Sequence, residues 1–133
     1  MWDFVVEFDT GHTPSVTNAS AAYTNATNAT VTVNLDSTKT TATAILKVDN
    51  KSSELSANLV ATVDEVDADL EKYAEITTEL CSDAACGTAL TGAVTKGTSA
   101  YVKVTANLKK NPAQDVTNKT FSVSLVASPV DAN

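Results

Sequence analysis

The sequence predicts an all-β fold, an antiparallel β-sandwich with an N-terminal strand that completes a sheet. Ser and Thr make up about a quarter of the chain, whereas its 133 residues include four Gly and three Pro. This composition is typical of strands with polar outer faces. Apolar residues also alternate with polar ones at period two in six segments, as half-buried strands require. Turn residues separate the segments at the spacing expected of a sandwich.

The six alternating segments follow one another along the body of the chain. They cover residues 29–35, 42–48, 55–63, 76–80, 100–108 and 121–127. Turn-forming residues punctuate them at 36–38, 49–53, 92, 97 and 111–112. The stretch 64–79, which begins with several acidic residues, could include a short helix. We therefore expect six or seven strands after the N-terminal one.

The N-terminal segment, residues 1–9, carries three of the seven aromatic side chains. Its apolar residues alternate with acidic ones, and the predicted anchors of this donor strand are Trp2, Phe4, Val6 and Phe8. Residues 10–15 read as a flexible linker, and residues 16–133 as the sandwich domain. Many inward positions of that domain are Ala, so bulky side chains are needed to fill its core. The groove that this segment fills could belong to its own domain or to a neighbour's.

The charge excludes several classes of function. The formal net charge is −7, and the nine basic residues are all Lys, which argues against nucleic acid as a partner. No apolar run is long enough to span a bilayer. No signal peptide is recognisable as given, so an extracellular location requires the chain to be the mature form after signal peptide removal. We expect no cofactor.

Cys81 and Cys86 flank a four-residue loop. A short-range disulfide is the favoured interpretation, with free thiols and a metal site as alternatives. Zinc would need further ligands, and the chain has one His. A ring this small would contribute about 2 kcal/mol, enough to fix a corner of a strand.

Five Asn-x-Ser/Thr sequons are candidates for glycosylation in a secreted protein. Their acceptors are Asn18, Asn25, Asn28, Asn50 and Asn118. Asn50 is the preferred acceptor because it falls on a predicted turn. The alternative is that the sequons simply reflect an Asn- and Thr-rich polar surface.

The remaining chemistry-bearing residues do not predict an enzyme. The acidic run Asp64, Glu65, Asp67, Asp69 and Glu71 could bind Ca²⁺, but it lacks the Gly and spacing of an EF-hand loop. A solvated face or a first helical turn is the favoured interpretation. His12 lies in the linker without a partner nearby in sequence. No nucleophile motif is present, so we predict neither catalytic nor metal-ligating residues.

The chain resembles a known family in segments 31–35, 45–52, 57–59, 97–104 and 118–127. These strand patterns, with the Asn-Lys-Ser turn at 50–52, are similar to the TasA and camelysin family of secreted fibre subunits and the related archaeal bundling pili. The resemblance implies a jelly-roll-like sandwich whose N-terminal strand inserts into the next subunit. A shorter chain without long insertions, and the two cysteines, favour the archaeal relatives. The peptidase label of camelysin is not expected here, because no His-Glu-x-x-His motif is present.

The function expected from these arguments is a structural one. The chain would be a subunit of an extracellular filament that polymerises head to tail with copies of itself by donor-strand complementation. Neighbouring filaments are further candidate partners, through lateral contacts. The alternative is a monomer in which the same strand completes its own sandwich, serving as a surface-binding or adhesion module.

Overall fold

The fold is described from a computed structural model, which covers residues 3–109 and 115–130. Trp2, one of the predicted anchors, lies outside the described residues. Within them, no helix is long and apolar enough to cross a membrane.

Nine strands and one short helix are present in the described ranges. The strands are β1 (Val6–Phe8), β2 (Ser15–Thr17), β3 (Ala19–Tyr23), β4 (Asn28–Leu35), β5 (Thr41–Asn50), β6 (Ser56–Asp64), β7 (Ala74–Cys81), β8 (Ser99–Leu108) and β9 (Val116–Val130). The helix, α1, spans Ala68–Tyr73 between β6 and β7.

Two antiparallel sheets pack face to face, which confirms the predicted β-sandwich. One sheet has the order β1-β5-β8-β7, with β2 also paired to β5, and the other has the order β3-β4-β9-β6. The chain crosses between the sheets from β2 to β3, β4 to β5, β5 to β6, β6 to β7 and β8 to β9. The predicted alternation is therefore shared between two facing layers, each contributing one apolar face.

The core lies between these layers and consists mainly of Val, Ala and Leu. The inward residues of β4, β5, β8 and β9 are almost completely buried. Phe8 from β1 and Phe121 from β9 are the largest side chains buried among them. The small Ala side chains of β5 and β8 leave space that these two rings help to fill.

The six predicted strands correspond to β4 through β9, and the predicted helix is α1. Asp67 begins this helix, since its side chain accepts a hydrogen bond from the Asp69 N–H at 3.0 Å. Asp69 and Glu71 follow in the first turn, where acidic side chains interact favourably with the helix dipole. The favoured interpretation of the acidic run as a first helical turn is thus confirmed for its second half.

Two strands were not predicted. β2 begins at Ser15, inside the predicted linker, and β3 has a run of Ala and Ser whose alternation is weak. The N-terminal strand is also shorter than expected, since it covers three residues. Strand β9 contains a bulge at Asn118, which adopts a φ of 57° where the register with β4 shifts.

Candidate strand-exchange site at the β5 edge

The N-terminal strand lies along the edge of β5 in its own chain. The register places Val6 opposite Asn50, Glu7 opposite Asp49 and Phe8 opposite Val48. Of the two grooves that the sequence left open, the one described here belongs to the same molecule. Because the structure contains one chain, insertion into a neighbour stays a prediction.

Phe8 is the apolar anchor of this contact. Its side chain is 2% exposed, and its ring centroid lies 5.4 Å from that of Tyr23. Its backbone N–H donates to the Ala26 carbonyl at 2.7 Å, so β1 is held between β5 and the β3–β4 turn. Phe4 and Val6 are half-buried and pack against the core from the same strand face. Three of the four predicted anchors therefore face the core, and the fourth lies outside the described residues.

Residues 50–52 hold the start of β1 by a set of polar contacts. The Lys51 N–H donates to the Val5 carbonyl at 2.8 Å, and the Val5 N–H donates to Ser52 Oγ at 2.9 Å. Further out, the Ser53 N–H donates to Asp3 Oδ1 at 3.1 Å. The segment preceding β1 is thus fixed by its backbone as well as by its side chains.

Asn50 organises this corner from inside the protein. It is 1% exposed, and its amide donates to the carbonyls of Leu55 and Val94, both at 3.0 Å. Its Oδ1 accepts from the Ser52 N–H at 3.0 Å. A buried amide with both hydrogens in use cannot carry a glycan in the folded protein, which argues against Asn50 as the preferred acceptor. The turn predicted here was the reason for that preference, but Asn50 is the last residue of β5.

Two ion pairs fix the charged side of the strand. Lys51 Nζ lies 2.8 Å from Glu7 Oε1, and Lys47 Nζ lies 3.3 Å from Asp9 Oδ2. The hydrogen bond to Glu7 and the negative charge of Glu7 raise the pKa of Lys51. The hydrogen bond to Asp9, followed by the charge of Asp49, raises the pKa of Lys47. The first pair joins the N-terminal segment to the residue that follows β5, and the second joins it to β5 itself.

The pKa values of the carboxyl groups in this segment shift in the opposite direction. Partial desolvation works to raise the pKa of Asp9, but the hydrogen bonds and charge of Lys47, with the Gly11 N–H, leave it lowered. Hydrogen bonds from the side chain and backbone of Ser53 lower the pKa of Asp3. Both carboxylates therefore favour the attached segment in their ionised form.

Between β1 and β2, the edge of β5 is bonded by a side chain and not by a strand. The Lys47 carbonyl accepts from the Asp9 N–H at 2.9 Å, but the Lys47 N–H donates to the Tyr23 hydroxyl at 3.2 Å. His12 Nδ1 lies 3.4 Å from the same hydroxyl. Burial is the main cause that raises the pKa of Tyr23. His12 thus has a structural partner, which sequence proximity did not reveal.

The other sequons occupy different environments. The Asn18 amide donates to the Thr41 carbonyl, and the Asn28 amide donates to Asn25 Oδ1 and Thr27 Oγ1. Asn25 and Asn118 are exposed. Among the five candidates, these two present the most accessible side chains.

The predicted disulfide is present between Cys81 and Cys86, at the end of β7. It lies on the opposite edge of the sheet from β1. Asp83 closes the loop by accepting from the N–H groups of Gly87 at 3.0 Å and Thr88 at 2.9 Å. The residues described contain no group of three or more His, Cys, Asp or Glu placed to hold a metal ion.

Sequence reasoning missed Tyr23, Lys47, Lys51 and Ser52 as partners of the N-terminal segment. For Asn50 a signal was present, because it continues the inward set of β5 at period two after Val48. No family model, no curated protein and no solved structure matches this chain. Its function has to be argued from the β5 edge itself.

Proposed function

We propose that this chain is the structural subunit of an extracellular filament and polymerises head to tail by exchanging its N-terminal strand. The observation that carries the proposal is the nature of the β1–β5 contact. A terminal segment supplies one half of it and a fixed edge supplies the other. Such a contact can form within one chain or between two chains with the same partners.

The contact has the components of strand addition. Backbone hydrogen bonds along β5 supply affinity, and the pocket that receives Phe8 fixes the register. Burying the Phe8 side chain contributes about 2 to 3 kcal/mol of transfer free energy. A slip by one residue would turn this ring to solvent and bring Glu7 to the core. The groove therefore accepts the strand in one register.

The connection after β1 makes exchange geometrically possible. Residues 9–14 separate β1 from β2, which remains paired with Thr43–Ile45 at the other half of the β5 edge. Extended, these six residues reach about 20 Å. If β1 leaves its own edge, β2 still covers part of β5 while the link carries β1 to the next molecule.

Exchange conserves the contacts but changes what they connect. The donor strand and the acceptor edge are different surfaces, so head-to-tail exchange adds subunits to an open chain, whereas reciprocal exchange between two copies would close a dimer. A filament is the expected product. The self-complemented chain described above is then the unassembled form, and the family resemblance of the sequence favours the same assembly.

The second candidate is a monomeric surface-binding or adhesion module. The pairing of β1 with its own β5 favours it, since the closed chain already has its Phe8 pocket filled. In this case the N-terminal strand is a permanent part of the sandwich. The two candidates differ in whether β1 ever pairs with another copy.

Cysteine trapping distinguishes them directly. Glu7 and Asp49 lie opposite each other, at a Cα separation of about 5.5 Å for such a pair, which a disulfide can bridge. One preparation would carry E7C and the other D49C, and the two would be mixed under polymerising conditions and oxidised. Strand exchange predicts covalent heterodimers on a non-reducing gel, together with filaments of the unmodified chain by electron microscopy.

The matched control replaces D49C by T77C, which places an exposed thiol on β7 at the opposite edge. It should give no enrichment of heterodimers with E7C. The double variant E7C/D49C, oxidised within one chain, should remain monomeric and block growth. Equal trapping by both partners, or a monomer at every concentration, would contradict the filament proposal and favour the second candidate.

A further inference from the structure

A polar cleft of about 610 Å³ opens on the outer face of the β3-β4-β9-β6 sheet. It is separate from the β5 edge, which belongs to the other sheet. Eight polar residues line it, and six of them carry the argument below: Asn25, Asn28, Asp64, Glu65, Ser122 and Ser124. The cleft is lined by neither the disulfide nor the residues of β1, so the features discussed above give it no role.

The floor of the cleft is a built hydrogen-bond network across three strands. Register places Ser124 opposite Asn28 on β4 and Ser122 opposite Asp64 on β6. Ser124 Oγ lies 2.9 Å from Asn28 Oδ1 and 3.0 Å from Asp64 Oδ2. Ser122 Oγ lies 3.4 Å from Glu65 Oε2. The strands therefore orient both carboxylates over the two serines.

The walls are fixed by local backbone geometry. Glu65 adopts a φ of 50°, a left-handed conformation that turns the chain sharply at the end of β6. On the opposite side, Asn25 Oδ1 accepts from the Thr27 N–H at 2.9 Å and from Asn28 Nδ2 at 3.0 Å. These bonds hold the β3–β4 turn beside the cleft, so the arrangement exists before any ligand enters.

The chemistry of the lining selects the class of ligand. Two carboxylates and no Lys line the cleft among the described residues, which disfavours an anion. Its volume falls in the range of small-molecule sites, about 300–1,000 Å³, and is far larger than a lone ion needs. Hydroxyl, amide and carboxylate groups together can donate to and accept from alcohol groups. A ligand rich in hydroxyl groups fits this set.

We propose that this cleft binds a neutral saccharide, with a pyranose ring over Ser122 and Ser124. The carboxylates of Asp64 and Glu65 accept hydrogen bonds from ring hydroxyls, and the amide of Asn25 at the rim supplies a donor. Among the residues that the structure describes, no aromatic ring lines the cleft, so the affinity rests on hydrogen bonds and is weak. The site does not depend on whether the chain forms filaments.

The test is a titration of unglycosylated, ¹⁵N-labelled protein followed by two-dimensional NMR. The probes are methyl α-glucopyranoside, methyl α-mannopyranoside and N-acetylglucosamine, each added to about 50 mM, since a dissociation constant of about 1 to 10 mM is expected. The backbone amides of Asn28, Ser122 and Ser124 should shift with at least one probe. Amides of β5 and β8 should stay in place.

Variants assign the effect to the cleft. Both D64N and S124A should weaken binding by about tenfold, since each removes a partner that is charged or bonded to a charge. The control V126T changes an exposed residue of β9 on the same sheet face and should leave affinity unchanged. Using two cleft variants separates loss of binding from misfolding of either one, which the dispersion of each NMR spectrum reports.

Two outcomes would overturn the proposal. The first is the absence of shifts at the cleft with all three saccharides. The second is a titration with CaCl₂ that shifts the cleft amides at far lower concentration while the saccharides do not, which would identify a cation site.

Discussion

The two sides of β5 differ in how they are covered. On one side, β8 pairs with it continuously from Thr41 to Asp49. On the other, β1 and β2 each contribute three residue pairs, and the Tyr23 hydroxyl covers the Lys47 N–H between them. β5 thus has a continuous ladder of hydrogen bonds on one side and an interrupted ladder on the other. The comparison shows that a short strand on an interrupted ladder can still supply a core side chain, because Phe8 is 2% exposed, close to the inward residues of β8.

The largest expected effect comes from comparing the two buried phenylalanines. F121A removes a ring from β9, which is paired on both sides, and should lower the free energy of unfolding by about 3 to 5 kcal/mol. F8A should cost less, because β1 pairs with one neighbour over three residues and, on the strand-exchange proposal, detaches while the remaining sandwich stays folded. Urea denaturation of both variants measures the difference. An equal loss, with one cooperative transition in each, would mean that β1 is as permanent as β9.

Asn50 tests the corner that receives the N-terminal segment. N50A leaves the Leu55 and Val94 carbonyls and the Ser52 N–H without their partner, and should cost about 2 to 4 kcal/mol. The variant S52A, which removes the hydroxyl that contacts the N–H and the carbonyl of Val5, should cost less. Thermal unfolding of both gives the ranking. A neutral N50A would show that the corner does not need its buried amide.

The hydroxyl that bridges the gap should have a smaller effect. Y23F keeps the ring against Phe8 but leaves the Lys47 N–H without its acceptor, at a cost of about 1 to 2 kcal/mol. Y101F, on β8, is the matched control, since the Tyr101 ring also lies near His12, at 6.3 Å between ring centroids. Hydrogen exchange at the Lys47 amide should accelerate in the first variant and not in the second. Unchanged exchange in Y23F would remove the bridging role.

Acid should weaken the interrupted side before the continuous one. The lowered pKa values of Asp3 and Asp9 mean that their contribution is fully present above the ordinary carboxyl value of 3.8 and is lost as the pH falls through their folded values. The raised pKa values of Lys47 and Lys51 act at the other extreme, where their contribution is lost as the pH rises above 10.5. Attachment of β1 should therefore be constant near neutral pH.

The measurement is amide exchange and chemical shift at Phe8 against Val102, which lies on β8 at the continuous side of β5, recorded from pH 6 down to pH 2. The Phe8 signal should broaden or move first. Asp36 and Asp83 also have lowered pKa values, through their turn hydrogen bonds, but lie elsewhere in the fold. Simultaneous loss of both signals would indicate that the whole sandwich unfolds in acid and that β1 has no separate response.

The sequence predicted the continuous side of β5 better than the interrupted side. Alternation of Ala42 to Val48 identified the inward face because every second residue is apolar over a full strand length. β3 was missed because Ala satisfies either an inward or an outward position. The sequence also could not show that Tyr23 reaches across to β5, since this contact joins residues 24 positions apart.

In the candidate site, too, the sequence predicted the residues with a local signal and missed those defined by long-range contacts. Phe4, Val6 and Phe8 were identified from size and spacing, which act locally. Lys47, Lys51 and Ser52 were not, because their role depends on which edge the segment meets. Asn50 was misjudged as an exposed turn residue because its sequon carried more weight than its inward place in the alternation of β5.

The direction of β1 along β5 determines how the joint would resist force. The two strands run antiparallel and side by side, with their hydrogen bonds perpendicular to the strand axis. A pull along the N-terminal strand therefore loads all of these bonds in shear at once, whereas a pull across the sheet would peel them one after another. A strand joint of this kind resists a pull along the strand axis with few residues, and it is weakest against a pull across the sheet.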